Sequence, residues 1–177
     1  MKNNFKKNFA YIDGANLHKG IKDFGWRLDY KRFRVWLKEK YSVECAYLFI
    51  GLIPKYKDLY AFLQKSGFTL IFKETTYDGN GRVKGNCDAD LVLAAVRDTF
   101  ENSYFKSVLV SSDGDYAGLV KFLLEKNKFK ILLSPDEHCS VLLKRTNAPI
   151  SYLSDKRNIL ENIDRLYKKA PDADKTA

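Results

Sequence analysis

The sequence lacks long hydrophobic segments and the residue clusters that hold zinc. No apolar run approaches the roughly 18 residues that cross a membrane as a helix, and the amino-terminal sequence MKNNFKKNF has no apolar stretch of signal-peptide length. The three cysteines, Cys45, Cys87 and Cys139, are far apart and form no CxxC pair, which argues against a zinc site, a redox couple or a disulfide framework. We therefore expect a soluble, cytoplasmic protein with no membrane partner.

The composition is that of a folded domain with a basic surface. The chain has 177 residues, 45% of them hydrophobic, which is enough for one domain with a real core. We expect this domain over residues 8–169, between flexible tails at 1–7 and 170–177. The 31 Lys and Arg exceed the 22 Asp and Glu, for a formal charge of +9. This excess favours a polyanionic partner such as nucleic acid, although much of it is also typical of ordinary solvated surface.

Short apolar runs alternate with segments of helical periodicity along the chain. Strands are predicted at 9–12, 43–53, 68–76, 107–110, 130–133 and 150–153. Helices are predicted at 29–40, 56–65, 88–102, 116–126, 137–146 and 155–169, and turns at 13–14 and 78–81. Because the strands are nearly continuous in apolar character, the pattern predicts an α/β fold with a central, mainly parallel sheet covered on both faces.

Aspartates follow two of the predicted strands and open one of the predicted helices. Asp13 follows the first strand, and Asp113 and Asp115 follow the fourth. Asp88 begins a helix in register with its apolar face, since positions 88, 91, 92 and 95 have i, i+3, i+4, i+7 spacing. The carboxyl ends of parallel strands form the usual ligand site, so we expect the four carboxylates to converge. Crowded carboxylates need a compensating cation, and Mg²⁺ or Mn²⁺ suits oxygen ligands better than zinc does.

Each aspartate also has an ordinary structural interpretation. Asp13 could belong to a simple turn, Asp88 could interact favourably with the helix dipole, and Asp113 and Asp115 could form a loop and a helix cap. Taken together at successive strand ends, the four favour the functional interpretation. Asp90 points about 200° around the helix from Asp88, so it is either a surface charge or an outer-shell water ligand.

A basic chain with an acidic pocket is suited to metal-dependent cleavage of a phosphodiester, because bound ions neutralise the phosphate and activate water. Lys84, just ahead of Asp88, is a candidate for holding the substrate. The aromatic candidates for stacking on unpaired bases are Tyr11, Trp26, Tyr30 and Tyr77. Core packing or an ordinary turn position is the alternative for each of these rings.

Three ordered motifs resemble the NYN domain, a family of the PIN-like nuclease superfamily. They are Tyr11-Ile-Asp-Gly-Ala-Asn-Leu17, Lys84-Gly-Asn-Cys-Asp-Ala-Asp-Leu-Val92 and Val110-Ser-Ser-Asp-Gly-Asp-Tyr-Ala-Gly-Leu-Val120. The similarity covers roughly residues 8 to 155. The resemblance implies a PIN-like three-layer α/β/α sandwich. It also implies a ribonuclease that depends on Mg²⁺ or Mn²⁺, and we expect this ribonuclease to be an endonuclease.

The resemblance also implies roles for individual residues. The metal-site and catalytic acids would be Asp13, Asp88, Asp113 and Asp115. Asn16 and Ser112 would lie beside them and, with Lys84, form our predicted substrate-binding set. The expected partner is RNA, in single-stranded form. PIN-like domains often pair, and the aromatic residues of this chain permit a homodimer.

Three other functions remain open at this level. The same fold could serve as a non-catalytic RNA-binding module, with the acids holding a structural metal or none. A haloacid dehalogenase-type phosphatase would need a second aspartate two residues after its nucleophile, whereas Asp13 is followed by Gly14 and Ala15. A metal-independent ribonuclease would need paired histidines for acid–base catalysis, and His18 and His138 are the only two in the chain.

Overall fold

The computed structural model describes residues 7–73, 76–77, 83–84 and 87–163, with the backbone alone at 76–77 and 83–84. The strands are β1 (Asn8–Asp13), β2 (Val43–Gly51), β3 (Thr69–Lys73), β4 (Thr76–Tyr77), β5 (Val83–Lys84), β6 (Ser107–Val110), β7 (Phe129–Ser134) and β8 (Ile150–Tyr152). The helices are α1 (Gly14–Asp23), α2 (Tyr30–Tyr41), α3 (Lys57–Lys65), α4 (Asp88–Phe100), α5 (Ala117–Glu125), α6 (Val141–Lys144) and α7 (Arg157–Leu160). Apart from Lys7, the predicted tails lie outside the described residues, as does the predicted turn at 78–81.

Six strands form one parallel sheet, in the order β3-β2-β1-β6-β7-β8. From β1 the chain builds outward through β2 and β3, and then returns to the other side of β1 to continue with β6, β7 and β8. The order therefore reverses between β1 and β6. In open parallel sheets, a ligand site lies at the carboxyl ends of the strands that flank such a switch point.

Helices cover both faces of the sheet, which confirms the predicted three-layer α/β/α architecture. On one face, α1 and α2 contribute Leu17, Ile21, Phe33 and Leu37 to a core under the even-numbered residues of β1. On the other face, Leu91 of α4 and residues of α5 and α6 pack against Tyr11. Successive β1 side chains alternate between faces, so Asp13 shares the face of Tyr11 and α4. None of the described helices is long and apolar enough to cross a membrane.

The predicted turn at 13–14 is wrong, because the chain continues from β1 directly into α1. Asp13 caps this helix, and its side chain accepts a hydrogen bond from the amide of Asn16. Only Leu17 and Ile21 supply its large buried side chains, which is too sparse a pattern to have predicted a helix. Gly14 lets the first turn approach β2 closely: a Cβ there would lie 2.9 Å from the carbonyl oxygen of Phe49.

The predicted helices near the carboxyl terminus are longer than the observed ones. The helix expected at 155–169 ends at Leu160, because the next residue, Glu161, is extended and forms an antiparallel bridge with Leu28. Its expected continuation beyond 163 lies outside the described residues. The helix expected at 137–146 begins only after Ser140, whose hydroxyl accepts a hydrogen bond from the amide of Leu142.

Candidate metal centre

The end of β1 supplies a buried carboxyl group. Asp13 is 7% exposed, and its Oδ1 accepts the amide hydrogen of Asn16 at 3.0 Å. Burial raises the pKa of Asp13, and the negative charges of Asp88 and Asp113 raise it further, while the hydrogen bonds from Asn16 and Tyr116 oppose the shift. Burial, more than the neighbouring charges, therefore disfavours the ionised form of Asp13.

The end of β6 supplies two more carboxylates through a tight 3₁₀ turn, Gly114–Tyr116. Asp113 precedes the turn, and its Oδ1 accepts the amide hydrogen of Asp115 at 3.0 Å. The hydroxyl of Ser111 accepts the amide hydrogen of Asp113 at 3.1 Å. A Cβ on Gly114 would lie 2.5 Å from the hydroxyl oxygen of Ser140, so a side chain at this position would require that hydroxyl or the loop to move.

Asp88, in the first turn of α4, completes a cluster of three carboxylates. One carboxylate oxygen each of Asp88, Asp113 and Asp115 lies within 4.8 Å of the other two. Asp88 and Asp113 are half-buried, whereas Asp115 is exposed. Oxygen atoms at this spacing can all reach one hard divalent ion at about 2.0–2.6 Å. The donor set therefore fits Mg²⁺ or Mn²⁺. Among the described residues, Asp13 does not meet the same distance criterion, and its role as a direct ligand stays a prediction.

Tyr116 joins Asp13 to this cluster. Its hydroxyl lies 2.5 Å from Oδ1 of Asp88 and 3.2 Å from Oδ2 of Asp13. The ring is fully buried, and burial, followed by the charge of Asp13, raises the pKa of Tyr116. The phenol therefore stays protonated and acts as a donor. This role is not predicted from the sequence, although Tyr116 directly follows the Asp113-Gly-Asp115 motif.

Asn16 and Ser112 connect the loops that carry the first and third motifs. The side-chain oxygen of Asn16 accepts hydrogen bonds from the amide of Ser112 at 2.8 Å and from its hydroxyl at 3.0 Å. The amide of Asn16 also donates to Asp13. These contacts fix the end of β1 relative to the end of β6. The structure thus gives both residues a positioning role, while their predicted contact with substrate stays a prediction.

The second motif also contains Asp90 and Lys84, and the structure describes the side-chain contacts of Asp90 only. Asp90 forms an ion pair with Lys73, with 3.0 Å between Oδ2 and Nζ, and both side chains are partly exposed. It is therefore a paired surface charge in this structure. The side chain of Lys84 lies outside the described residues.

Most of the aromatic candidates for base stacking belong to the core. Tyr11 is 1% exposed and donates a hydrogen bond to the buried carboxylate of Asp98 at 2.9 Å. Trp26 is 4% exposed and packs in the core on the opposite face of the sheet. The partly buried ring of Tyr30 packs against that core. The side chain of Tyr77 lies outside the described residues. Stacking on RNA is therefore the wrong interpretation for Tyr11 and Trp26, whose rings substrate cannot reach.

Comparisons with known proteins agree with this architecture. The family model of the NYN domain matches residues 9–153. A crystal structure of a protein of unknown function from Vibrio parahaemolyticus matches with a TM-score of 0.75 and 21% sequence identity, over 92% of this chain and 100% of that chain; this likeness shows the fold alone. Curated proteins yield no match. The chain belongs to the NYN domain family, whose members are generally PIN-like, ribonuclease-like hydrolases.

Proposed function

We propose that this protein is a metal-dependent endoribonuclease that hydrolyses phosphodiester bonds of single-stranded RNA. The observation that carries the proposal is the cluster of Asp88, Asp113 and Asp115, within 4.8 Å of one another, at the switch point of an NYN fold. The net charge of +9 supports an anionic substrate, because a basic surface attracts and retains nucleic acid.

The proposal gives the four acids related tasks. Asp88, Asp113 and Asp115 would hold Mg²⁺ or Mn²⁺ with their carboxylate oxygens. A divalent ion bound there supplies neutralisation of phosphate charge and a lowered pKa for a water molecule. Asp13 completes the catalytic set from its buried position, and the hydroxyl of Tyr116 orients the carboxylate of Asp88. Hydrolysis would leave 5′-phosphate and 3′-hydroxyl ends.

The remaining predicted residues would position substrate or site. Asn16 and Ser112 hold the two loops in register through their mutual hydrogen bonds, which keeps Asp13 and Asp113 at a fixed separation. Lys84 would contribute a positive charge toward a phosphate of the RNA strand. Pre-organised charges of this kind accelerate a reaction because they need no rearrangement in the transition state.

The test is cleavage of matched single-stranded and duplex RNA with Mg²⁺ or Mn²⁺. We expect products from single-stranded RNA that EDTA abolishes, and loss of cleavage in Asp13→Asn and Asp113→Asn. Asp155→Asn is the matched control, since Asp155 is an exposed acid that follows β8 at the same edge of the sheet. Cleavage that survives both substitutions and chelation would contradict the proposal. Salt-sensitive RNA binding with no products at any metal concentration would instead favour a binding module.

A further inference from the structure

An ion pair links the end of β3 to the helical turn that carries Asp88. Lys73 is the last residue of β3, and its Nζ lies 3.0 Å from Oδ2 of Asp90. Asp90 belongs to the first turn of α4, two residues after Asp88. The pair therefore brings a cation from the end of the edge strand β3 to the first turn of α4, the turn that also carries Asp88.

The ion pair between Lys73 and Asp90 is too exposed to stabilise the fold substantially. The two side chains are 37% and 40% exposed, and such exposed pairs contribute only about 0–1 kcal/mol to stability. Arg34 is a contrast: its guanidinium donates to the backbone carbonyls of Gly67, Val43 and Glu44. Within the described part of the chain, the ammonium group of Lys73 pairs with the carboxylate of Asp90 alone, and an RNA phosphate could replace that partner at little cost.

An acidic cluster creates a problem for a nuclease, because the phosphates that flank the scissile bond are repelled by the same carboxylates that hold the metal. A lysine at the border of the cluster resolves this, since an ammonium group is a compact point charge suited to phosphate. Asp90 then has a role that its exposure alone does not explain: it keeps the flexible Lys73 side chain at the site between encounters with RNA.

We propose that Lys73 binds a phosphate of the RNA strand beside the carboxylate cluster, and that Asp90 is the positioning residue that holds Lys73 there when RNA is absent. This inference rests on the proposed function for its substrate class. It adds a specific contact from β3, an element that contains none of the three family motifs.

The first experiment measures binding of a fluorescently labelled single-stranded uridine oligonucleotide in EDTA across a range of salt concentrations. The salt slope is taken as the magnitude of the fall in log K per unit of log salt. One lost phosphate contact lowers the salt slope by about 0.7, and weakens binding about fourfold at 0.15 M salt. We expect this change in Lys73→Ala and not in Lys73→Arg, which keeps the charge. Lys130→Ala is the matched control, because Lys130 is an exposed strand lysine near the start of β7, whereas Lys73 lies at the carboxyl end of β3.

The second experiment repeats the measurement with Asp90→Asn and with the double variant. If Lys73 binds phosphate directly, Asp90→Asn keeps the full salt slope, and adding Lys73→Ala lowers that slope by the same amount as in the wild type. If Lys73 serves only to pair with Asp90, the effect of Lys73→Ala disappears once Asp90 is neutral. That second result would overturn the inference, as would an unchanged slope in Lys73→Ala or no binding of the oligonucleotide at all.

The two proposals fail in different ways. Metal-dependent cleavage with an unchanged salt slope in Lys73→Ala would overturn the role of Lys73 and leave the nuclease proposal in place. A lowered slope in a protein that never cleaves RNA would support the phosphate contact and contradict the catalytic proposal.

Discussion

The hydroxyl of Tyr116 lies 2.5 Å from a carboxylate oxygen of Asp88 and 3.2 Å from one of Asp13. A phenol has one proton to donate, so two acids from different elements compete for the same hydrogen bond. This arrangement couples the end of β1 to the first turn of α4.

Tyr116→Phe removes this donor and keeps the buried ring. We expect the variant to fold, because the ring fills the same space, and to lose about 10- to 100-fold in Mn²⁺ affinity or in cleavage rate, as is typical when a group that orients a metal ligand is lost. Titration calorimetry with Mn²⁺ measures the first quantity and an RNA cleavage assay the second.

Tyr104→Phe is the control for this prediction. Tyr104 is also buried, and its hydroxyl pairs with the hydroxyl of Thr99 at 2.5 Å, away from the carboxylate cluster. Its loss should lower the free energy of unfolding by about 1 kcal/mol and leave Mn²⁺ affinity unchanged. Equal losses of Mn²⁺ affinity in both variants would contradict a specific role for Tyr116.

Asn16→Ala should uncouple the two loops of the site. The substitution leaves the half-buried amide of Ser112 without its acceptor, which costs about 1–3 kcal/mol of stability, and frees Asp113 to move relative to Asp13. Ser112→Ala removes only the hydroxyl bond and keeps the backbone bond. We therefore expect a smaller loss of cleavage in Ser112→Ala, measured under the same conditions. The reverse order would show that these residues act through substrate rather than through the loops.

Much of the site could be predicted because its acids follow strands. Asp13 and Asp113 were identifiable as strand-end residues, and a parallel sheet brings such ends to one edge. Asp88 was identifiable from its register with Leu91 and Ala95. The contact between Lys73 and Asp90 could not be predicted, since it joins two elements across a loop and leaves no spacing pattern in the sequence.

The errors in the predicted elements have equally local causes. Helix α1 was missed because its sequence begins Gly14-Ala-Asn, which resembles a turn, and because its N-cap Asp13 is also a strand residue. The last helix was predicted too long because Glu161 has helical propensity, whereas its observed backbone is extended and pairs with Leu28. Tertiary pairing there overrides local preference.

Two glycines provide a matched test of the loop that carries Asp113 and Asp115. In Gly114→Ala the new Cβ would meet the hydroxyl oxygen of Ser140 at 2.5 Å and a methyl carbon of Leu142 at 3.2 Å. We expect a loss of about 1–3 kcal/mol in stability and lower cleavage, because either the turn or the Ser140 hydroxyl that caps α6 must shift. Gly118→Ala meets nothing within 4 Å and lies in α5, where alanine should add about 0.5–1 kcal/mol. Denaturant unfolding measures whether each substitution lowers or raises the free energy of unfolding.

Asp13→Asn should stabilise the metal-free protein at neutral pH while it removes cleavage. Burial raises the pKa of Asp13 in the folded state, so the folded protein holds this proton to a higher pH than the unfolded chain does. The free energy of unfolding therefore falls as the pH rises from the pKa of Asp13 in the unfolded chain to its pKa in the folded protein, and it stays lower above that range. Asparagine caps a helix as well as aspartate does, and it has no charge whose burial lowers the free energy of unfolding.

The measurement is denaturant unfolding of both proteins in EDTA, at neutral pH and at about pH 4, near the ordinary pKa of an aspartate. We expect the advantage of Asp13→Asn to be largest at neutral pH and to shrink as the pH is lowered. An advantage that grows toward acid would show that the pKa of Asp13 is lowered rather than raised.

Diffraction from a crystal soaked in Mn²⁺, with data collected for its anomalous signal, shows whether the three clustered carboxylates bind a metal ion. We expect a peak within about 2.0–2.6 Å of carboxylate oxygens of Asp88, Asp113 and Asp115, and loss of that peak in Asp113→Asn. A peak elsewhere on the molecule, or none between these three side chains at saturating Mn²⁺, would contradict it.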